Sequence, residues 1–172
     1  MTRMLQNPFF DRPAEVVARE LLGCVLCVRV GEKIERHIIT ETEAYVGPHD
    51  LASHASKGRT ARTEVMFGRP GTIYMYLVYG MYDMLNIVTG EAGYPAAVLI
   101  RGVGKWNGPG KLTKALGITR TLNGQSVGKK VGLWVEEGET MVSSEQIEST
   151  PRIGVAYAKE WAEKELRFVL RR

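Results

Sequence analysis

Two glutamates and a tyrosine alternate along Ile39-Thr40-Glu41-Thr42-Glu43-Ala44-Tyr45. Read as a strand, this segment puts Ile39, Glu41, Glu43 and Tyr45 on one face and Thr40, Thr42 and Ala44 on the other. A carboxylate on such a face can take a proton from water. Two carboxylates two residues apart, roughly 6–7 Å at Cα, also have the spacing of a paired-acid hydrolase. An ordinary solvated strand face carries the same pattern.

Aromatic side chains gather just downstream. Five of the seven tyrosines, Tyr45, Tyr74, Tyr76, Tyr79 and Tyr82, fall between positions 45 and 82. In the expected strand 72–79, Ile73, Met75 and Leu77 face one way as core, and Tyr74 and Tyr76 form an aromatic surface on the other. Tyr79 falls at the tip of an expected hairpin, where a ring has little to pack on. Strand propensity alone favours tyrosine; the alternative is a stacking surface for bases beside an insertable wedge. Between the two groups runs a stretch, 47–71, rich in Gly, Pro, Ser and His. It reads as a long loop, and long loops inside compact domains are usually functional. Its second half holds Lys57, Arg59, Arg62 and Arg69 against Glu64 alone.

Other motifs carry less. Cys24-Val25-Leu26-Cys27 is a C-x-x-C, but no second pair exists and the histidines are only His37, His49 and His54. On a strand the two thiols point to opposite faces, so buried structural cysteines are expected rather than a metal or redox site. Gly104 to Leu112 misses the P-loop spacing by one residue. Arg101 to Lys105 resembles a DNA-binding hairpin between helices but follows an apolar strand.

The elements that must position these groups fit one domain over residues 1–172. A helix is expected after Asp11 and Pro13, with Val16, Val17, Leu21 and Leu22 inward and Gly23 as its stop. Strands follow at 24–30 and 34–46, turning at Gly31-Glu32, then at 72–79 and 82–89 around Gly80-Met81, and at 95–101. Asn107-Gly108-Pro109 opens a helix with Leu112, Ala115 and Leu116 inward and Gly117 at its end. Val131–Val135 and Arg152–Val155 read as short strands, and Trp161 and Phe168 as packed residues of the tail. The expected fold class is α+β, a single mixed domain built on a mostly antiparallel sheet with a protruding β-hairpin and few helices. Hydrophobic residues are 44% and charged residues 24%, which excludes a disordered, collagenous or coiled-coil chain. No apolar run suits a membrane span, and the first residues lack a signal core, so a cytoplasmic protein is expected. A net charge of +4 is compatible with nucleic acid.

Together these residues are similar to the alkyladenine (3-methyladenine) DNA glycosylase family. The resemblance lies in Glu41-Thr42-Glu43-Ala44-Tyr45-Val46-Gly47-Pro48, His54 and the basic loop, Met66-Phe67, Pro70-Gly71-Thr72, and Tyr76-Leu77-Val78-Tyr79-Gly80-Met81-Tyr82. It continues through Asn86-Ile87, Leu99-Ile100-Arg101, Gly108-Pro109-Gly110-Lys111-Leu112, Pro151-Arg152-Ile153-Gly154-Val155 and Glu160-Trp161-Ala162-Glu163-Lys164. The chain departs from the family pattern at Glu165, usually proline, and over 122–128.

The resemblance implies a monofunctional repair enzyme, without metal or cofactor and without lyase activity, that hydrolyses the N-glycosidic bond of alkylated or deaminated purines. Its partner would be double-stranded DNA carrying the damaged base, with no membrane involved. A monomer is expected, in the cytoplasm and at the nucleoid if the source is prokaryotic. By residue match, Glu43 is the general base and Arg101 helps hold that carboxylate and the water. Tyr45, His54 and Tyr76 line the base pocket, and Asn86 sits under the base. Tyr79 fills the gap left by the flipped base, and Arg59 and Arg62 contact phosphates. Glu41 is left as the spare carboxylate. A two-residue turn at Gly80-Met81 would put Asn86 on the face opposite Tyr76, so a longer turn or a bulge is expected there. A non-catalytic nucleic-acid binding module is the rival reading, and it has no need of Glu43.

Overall fold

A computed structural model describes residues 1–171. Its helices are few and short: α1 (Asn7–Phe10), α2 (Ala14–Leu21) and α3 (Pro109–Leu116). The strands are β1 (Val25–Val30), β2 (Lys33–Tyr45), β3 (Ile73–Val78), β4 (Tyr82–Thr89), β5 (Ala96–Val103), β6 (Trp106–Asn107), β7 (Leu133–Glu136), β8 (Ile147–Thr150) and β9 (Arg167–Leu170). They form one antiparallel network in the order β3-β4-β5-β2-β1-β7, with β6 on β5, β9 on β2 and β8 on β9. This is the expected α+β fold, with the β3–β4 hairpin carrying an exposed tip.

The long strand β2 organises the site. Its first half pairs with β1, and its second half is flanked by β5 and β9. Thr42 and Ala44 turn to the main core, where the Thr42 hydroxyl donates to the Ala18 carbonyl on α2. Glu41, Glu43 and Tyr45 take the opposite face. Ile39 does not join them, contrary to strict alternation. The β2–β5 register shifts on either side of Glu41, and Ile39 lies in the main core with Ala44. An irregularity that breaks the two-residue period flips parity across it.

The hairpin confirms the expected change of parity. Val78 pairs with Tyr82, leaving Tyr79, Gly80 and Met81 as a three-residue turn. Tyr76 therefore opposes Met84 and Tyr74 opposes Asn86, so Asn86 shares a face with both tyrosines. Tyr79 and Gly80 both have positive φ, at 54° and 63°.

Several elements differ from the sequence reading. In α2 the inward set is Ala14, Val17, Ala18 and Leu21, at i, i+3, i+4 and i+7; Val16 is exposed and Asp11 makes no cap. In α3 Ala115 is exposed and Thr113 is buried, its hydroxyl donating to the Asp83 carbonyl. Residues 152–155 are not a strand, because the Ile153 N–H donates to a side chain and Gly154 takes φ +76°. The loop 47–71 contains two 3-10 turns, His54–Lys57 and Glu64–Phe67, and buries Asp50, Thr63 and Met66. Cys24 and Cys27 are both buried and unbonded to each other, and burial pushes each thiol up to about 11.

Candidate active site

The sheet has a second covered face. There Tyr74, Tyr76 and Val88 pack against Ala55 and Met66 of the long loop. A cavity of about 270 Å³ opens on this face. Glu43, Tyr45, His54, Tyr76, Tyr79, Asn86 and Arg101 all line it. These are all the residues expected at the chemical step, the base pocket and the wedge. Arg59 and Arg62, the two expected phosphate contacts, lie outside the lining.

Glu43 is fully buried. Its Oε1 accepts the Tyr45 hydroxyl at 3.0 Å and lies 3.6 Å from Arg101 Nη1. Its Oε2 accepts the Ile153 N–H at 2.8 Å. Removal from water drives the carboxyl above the ordinary carboxylate range, against the lowering pull of Arg101, Ile153 and Tyr45. A carboxylate offers about four lone-pair directions, so these contacts leave Glu43 room to accept from a water. A base destabilised in its charged form gains most by taking a proton.

Tyr45 is held from behind. The Arg152 guanidinium lies 4.9 Å from the centre of its ring, a cation–π contact. Arg152 and Asp50 are both completely buried and joined by a double hydrogen bond, 2.6 Å and 2.8 Å. Asp50 also accepts the N–H groups of Val46 and Ala52, so the turn after β2 is tied to the segment carrying Ile153. Neither Asp50 nor the buried role of Arg152 was visible in the sequence, where arginine and aspartate default to the surface.

On the opposite wall, His54 Nδ1 is 3.0 Å from the Tyr74 hydroxyl, and its ring meets Tyr76 edge-on at 4.5 Å. Burial, then the nearby Arg62 and Lys57, lower His54 to about 4, so the imidazole is neutral near pH 7. Tyr74 is buried within this wall rather than part of an open aromatic surface. The Asn86 amide is locked by donating to the Tyr74 carbonyl at 3.2 Å and the Met84 carbonyl at 3.4 Å.

At the rim, Tyr79 is 88% exposed and Met81 beside it 70%. A large ring left in solvent in the left-handed region is costly and uncommon. Arg62 is exposed and lies 5.2 Å over the Tyr76 ring. Arg59 forms a two-pronged ion pair with Glu64 at 2.7 and 2.8 Å and stacks on Phe67. Glu41 does not line the cavity; it is buried and bound to Arg101 and Arg167, which removes the support for a paired-carboxylate hydrolase. A larger depression of about 720 Å³ near Tyr94 and Trp161 is lined by Asp11, Arg12, Glu15, Glu91 and Lys164, charges that are exposed or half-buried rather than enclosed as Glu43 is.

The cavity thus sets a buried carboxylate among aromatic rings. The family model of the methylpurine-DNA glycosylases matches residues 8–105 and 104–172. A protein of Myxococcus xanthus is 47% identical, over 97% of this chain and 90% of its own length. One of Methanocella arvoryzae is 46% identical, over 96% and 91%, and one of Legionella pneumophila 46% identical, over 98% and 95%. All three carry a provisional assignment as 3-methyladenine DNA glycosylases. The chain belongs to the methylpurine-DNA glycosylase family. It is a DNA glycosylase, a hydrolase of N-glycosyl bonds. Among the described residues no helix is long and apolar enough to cross a membrane.

Proposed function

We propose that this enzyme flips alkylated or deaminated purines out of duplex DNA and hydrolyses the glycosidic bond with a water activated by Glu43. The purines are of the 3-methyladenine, 7-methylguanine, hypoxanthine and etheno-adenine class. The observation that carries the reading is the buried Glu43 at the end of a slot walled by Tyr45, His54 and Tyr76, with exposed Tyr79 on the hairpin beside it. A base stacked in a duplex is out of reach, so the enzyme extrudes it and fills the hole. Tyr79 is the filler, and the tyrosine rings stack on the extruded base.

The steps balance simply. The water oxygen bonds to C1′, the bond from C1′ to the purine nitrogen breaks, and its electron pair leaves with the base. The water proton passes to Glu43. A purine alkylated at N3 or N7 is cationic; it stacks well on electron-rich rings and leaves as a neutral molecule, so it needs no acid. Hypoxanthine and etheno-adenine are neutral, and each takes a proton from solvent water as it leaves. Arg101 helps hold the carboxylate by its charge, across a gap of 3.6 Å rather than through a hydrogen bond, and helps hold the water. Asn86 sits under the base, where it opposes the 2-amino group of guanine. Arg59 and Arg62 meet phosphates near the slot.

The test is to incubate the enzyme with duplexes that each carry one lesion and then cleave abasic sites with alkali. Strand cleavage only after alkali, at the lesion, supports monofunctional excision. Cleavage at no lesion of the class, or efficient borohydride trapping of a covalent DNA adduct, contradicts it.

A further inference from the structure

Glu41 is the buried carboxylate for which the proposed chemistry finds no use. Its Oε1 accepts the Nε–H of Arg101 at 3.0 Å and that of Arg167 on β9 at 2.6 Å. Arg167 is held a second time, donating from Nη1 to the Thr150 hydroxyl at 3.0 Å. The backbone is shaped to admit this carboxylate. The irregular β2–β5 register sets Glu41 opposite Gly102, and a Cβ on Gly102 would lie 2.8 Å from Thr40 Oγ1 and 3.2 Å from Glu41 Cβ. Arg101 is the side chain that Glu41 and Glu43 share: Nε goes to Glu41 and Nη1 faces Glu43 at 3.6 Å, too long for a hydrogen bond.

A guanidinium is a rigid planar fork, so fixing its Nε also fixes where its Nη groups point. A free Arg101 has every electrostatic reason to close the remaining gap and pair directly with Glu43. That would stabilise the carboxylate and occupy the lone pairs a water needs. We propose that Glu41 is a positioning residue that holds Arg101 back from Glu43. Arg167, opposite Glu43 on β9, supplies the second cation that keeps Glu41 charged while buried. Glu41 is therefore not the spare member of the pair, as its place on the strand face suggests. This inference rests on Glu43 acting as the base.

The test is a double-mutant cycle on single-turnover release of 3-methyladenine from dimethyl-sulfate-treated DNA, with DNA binding measured in parallel. Glu41→Gln in the wild-type background is expected to lower the rate at least about tenfold, the scale of a displaced catalytic group, and to change DNA affinity less than about threefold. The same substitution in an Arg101→Met background should cost under about twofold, because the restraint no longer has a target. A purely structural glutamate gives the same loss in both backgrounds, and that result, or an unchanged rate in Glu41→Gln, overturns the proposal. If Glu41→Gln does not fold, Glu41→Asp keeps the charge and withdraws it from both arginines, and the same coupling to Arg101→Met is expected. Glu43→Gln separates the two readings. Wild-type rate in Glu43→Gln refutes the base assignment itself. An inactive Glu43→Gln with uncoupled Glu41 and Arg101 refutes only the role of Glu41.

Discussion

Asp50→Asn is the substitution that strikes the site hardest without touching its lining. Asp50 and Arg152 are both completely buried, and their double hydrogen bond spans 2.6 and 2.8 Å. Arg152 also donates to the carbonyls of Ala44 and Trp161, and its Nε has no hydrogen-bond partner among the described residues. An asparagine cancels the anion and turns an NH2 group toward the donors of Arg152. Breaking a buried pair on one side costs about 3–5 kcal/mol. For a domain of this size each kcal/mol moves Tm by roughly 2–4 °C, so calorimetry should show a fall of roughly 6–20 °C. Urea titration should show the same loss with an unchanged m-value. Activity should fall as well, by about tenfold or more at a temperature where the variant is folded, because Arg152 backs the Tyr45 ring and its neighbour Ile153 holds Glu43. The double variant Asp50→Leu with Arg152→Met removes both charges. It should recover part of the stability and none of the activity, which separates support of the fold from support of the site. A Tm loss below about 3 °C with full activity in Asp50→Asn would refute this view of the pair.

Three further outcomes follow from the same geometry. Tyr79→Ser should leave Tm nearly unchanged, since the ring is 88% exposed, and weaken binding to a lesion duplex by about 1–3 kcal/mol; Tyr79→Gly should in addition raise stability by about 1 kcal/mol by relieving the positive φ. Asn86→Ser should raise release of 7-methylguanine relative to hypoxanthine by relieving a clash, and it should cost about 1–3 kcal/mol of stability by removing the two hydrogen bonds that the buried amide donates. The raised carboxyl of Glu43 places the acid limb of the pH–rate profile above the ordinary carboxylate range. Because the folded state binds that proton more tightly than the unfolded chain, stability falls as pH rises from the unfolded value through the folded one. The Tm of Glu43→Gln relative to wild type should therefore improve as pH rises from about 4 to 8.

The parts of the site that lie on regular strands were legible. Alternation alone set Glu43 and Tyr45 on one face, and the parity conflict between Tyr76 and Asn86 called for the longer turn that the hairpin has. Ile39 failed because the ladder shifts register on either side of Glu41 and breaks the alternation there, and nothing in Thr40-Glu41 announces it. Strands β8 and β9 escaped notice because Ile147–Thr150 is short and mostly polar, and its partner among the described residues is the equally short Arg167–Leu170. The tightest parts of the site were the least legible. Ile153 acts through its main-chain N–H, which no side-chain pattern records. Arg152, Asp50, Glu41 and Arg167 are charges whose burial depends on partners far away in sequence.

The role of Glu43 is tested most directly by the single-turnover rate of Glu43→Gln on a lesion-containing duplex, measured with binding to the same duplex. Glutamine keeps the shape and can accept from Tyr45 or from Ile153 through its single oxygen, but it cannot take up the water proton. We expect the rate of base release to fall by about 100-fold or more, while affinity for the lesion stays within about threefold of wild type. Release at the wild-type rate by the Glu43→Gln enzyme would contradict the account.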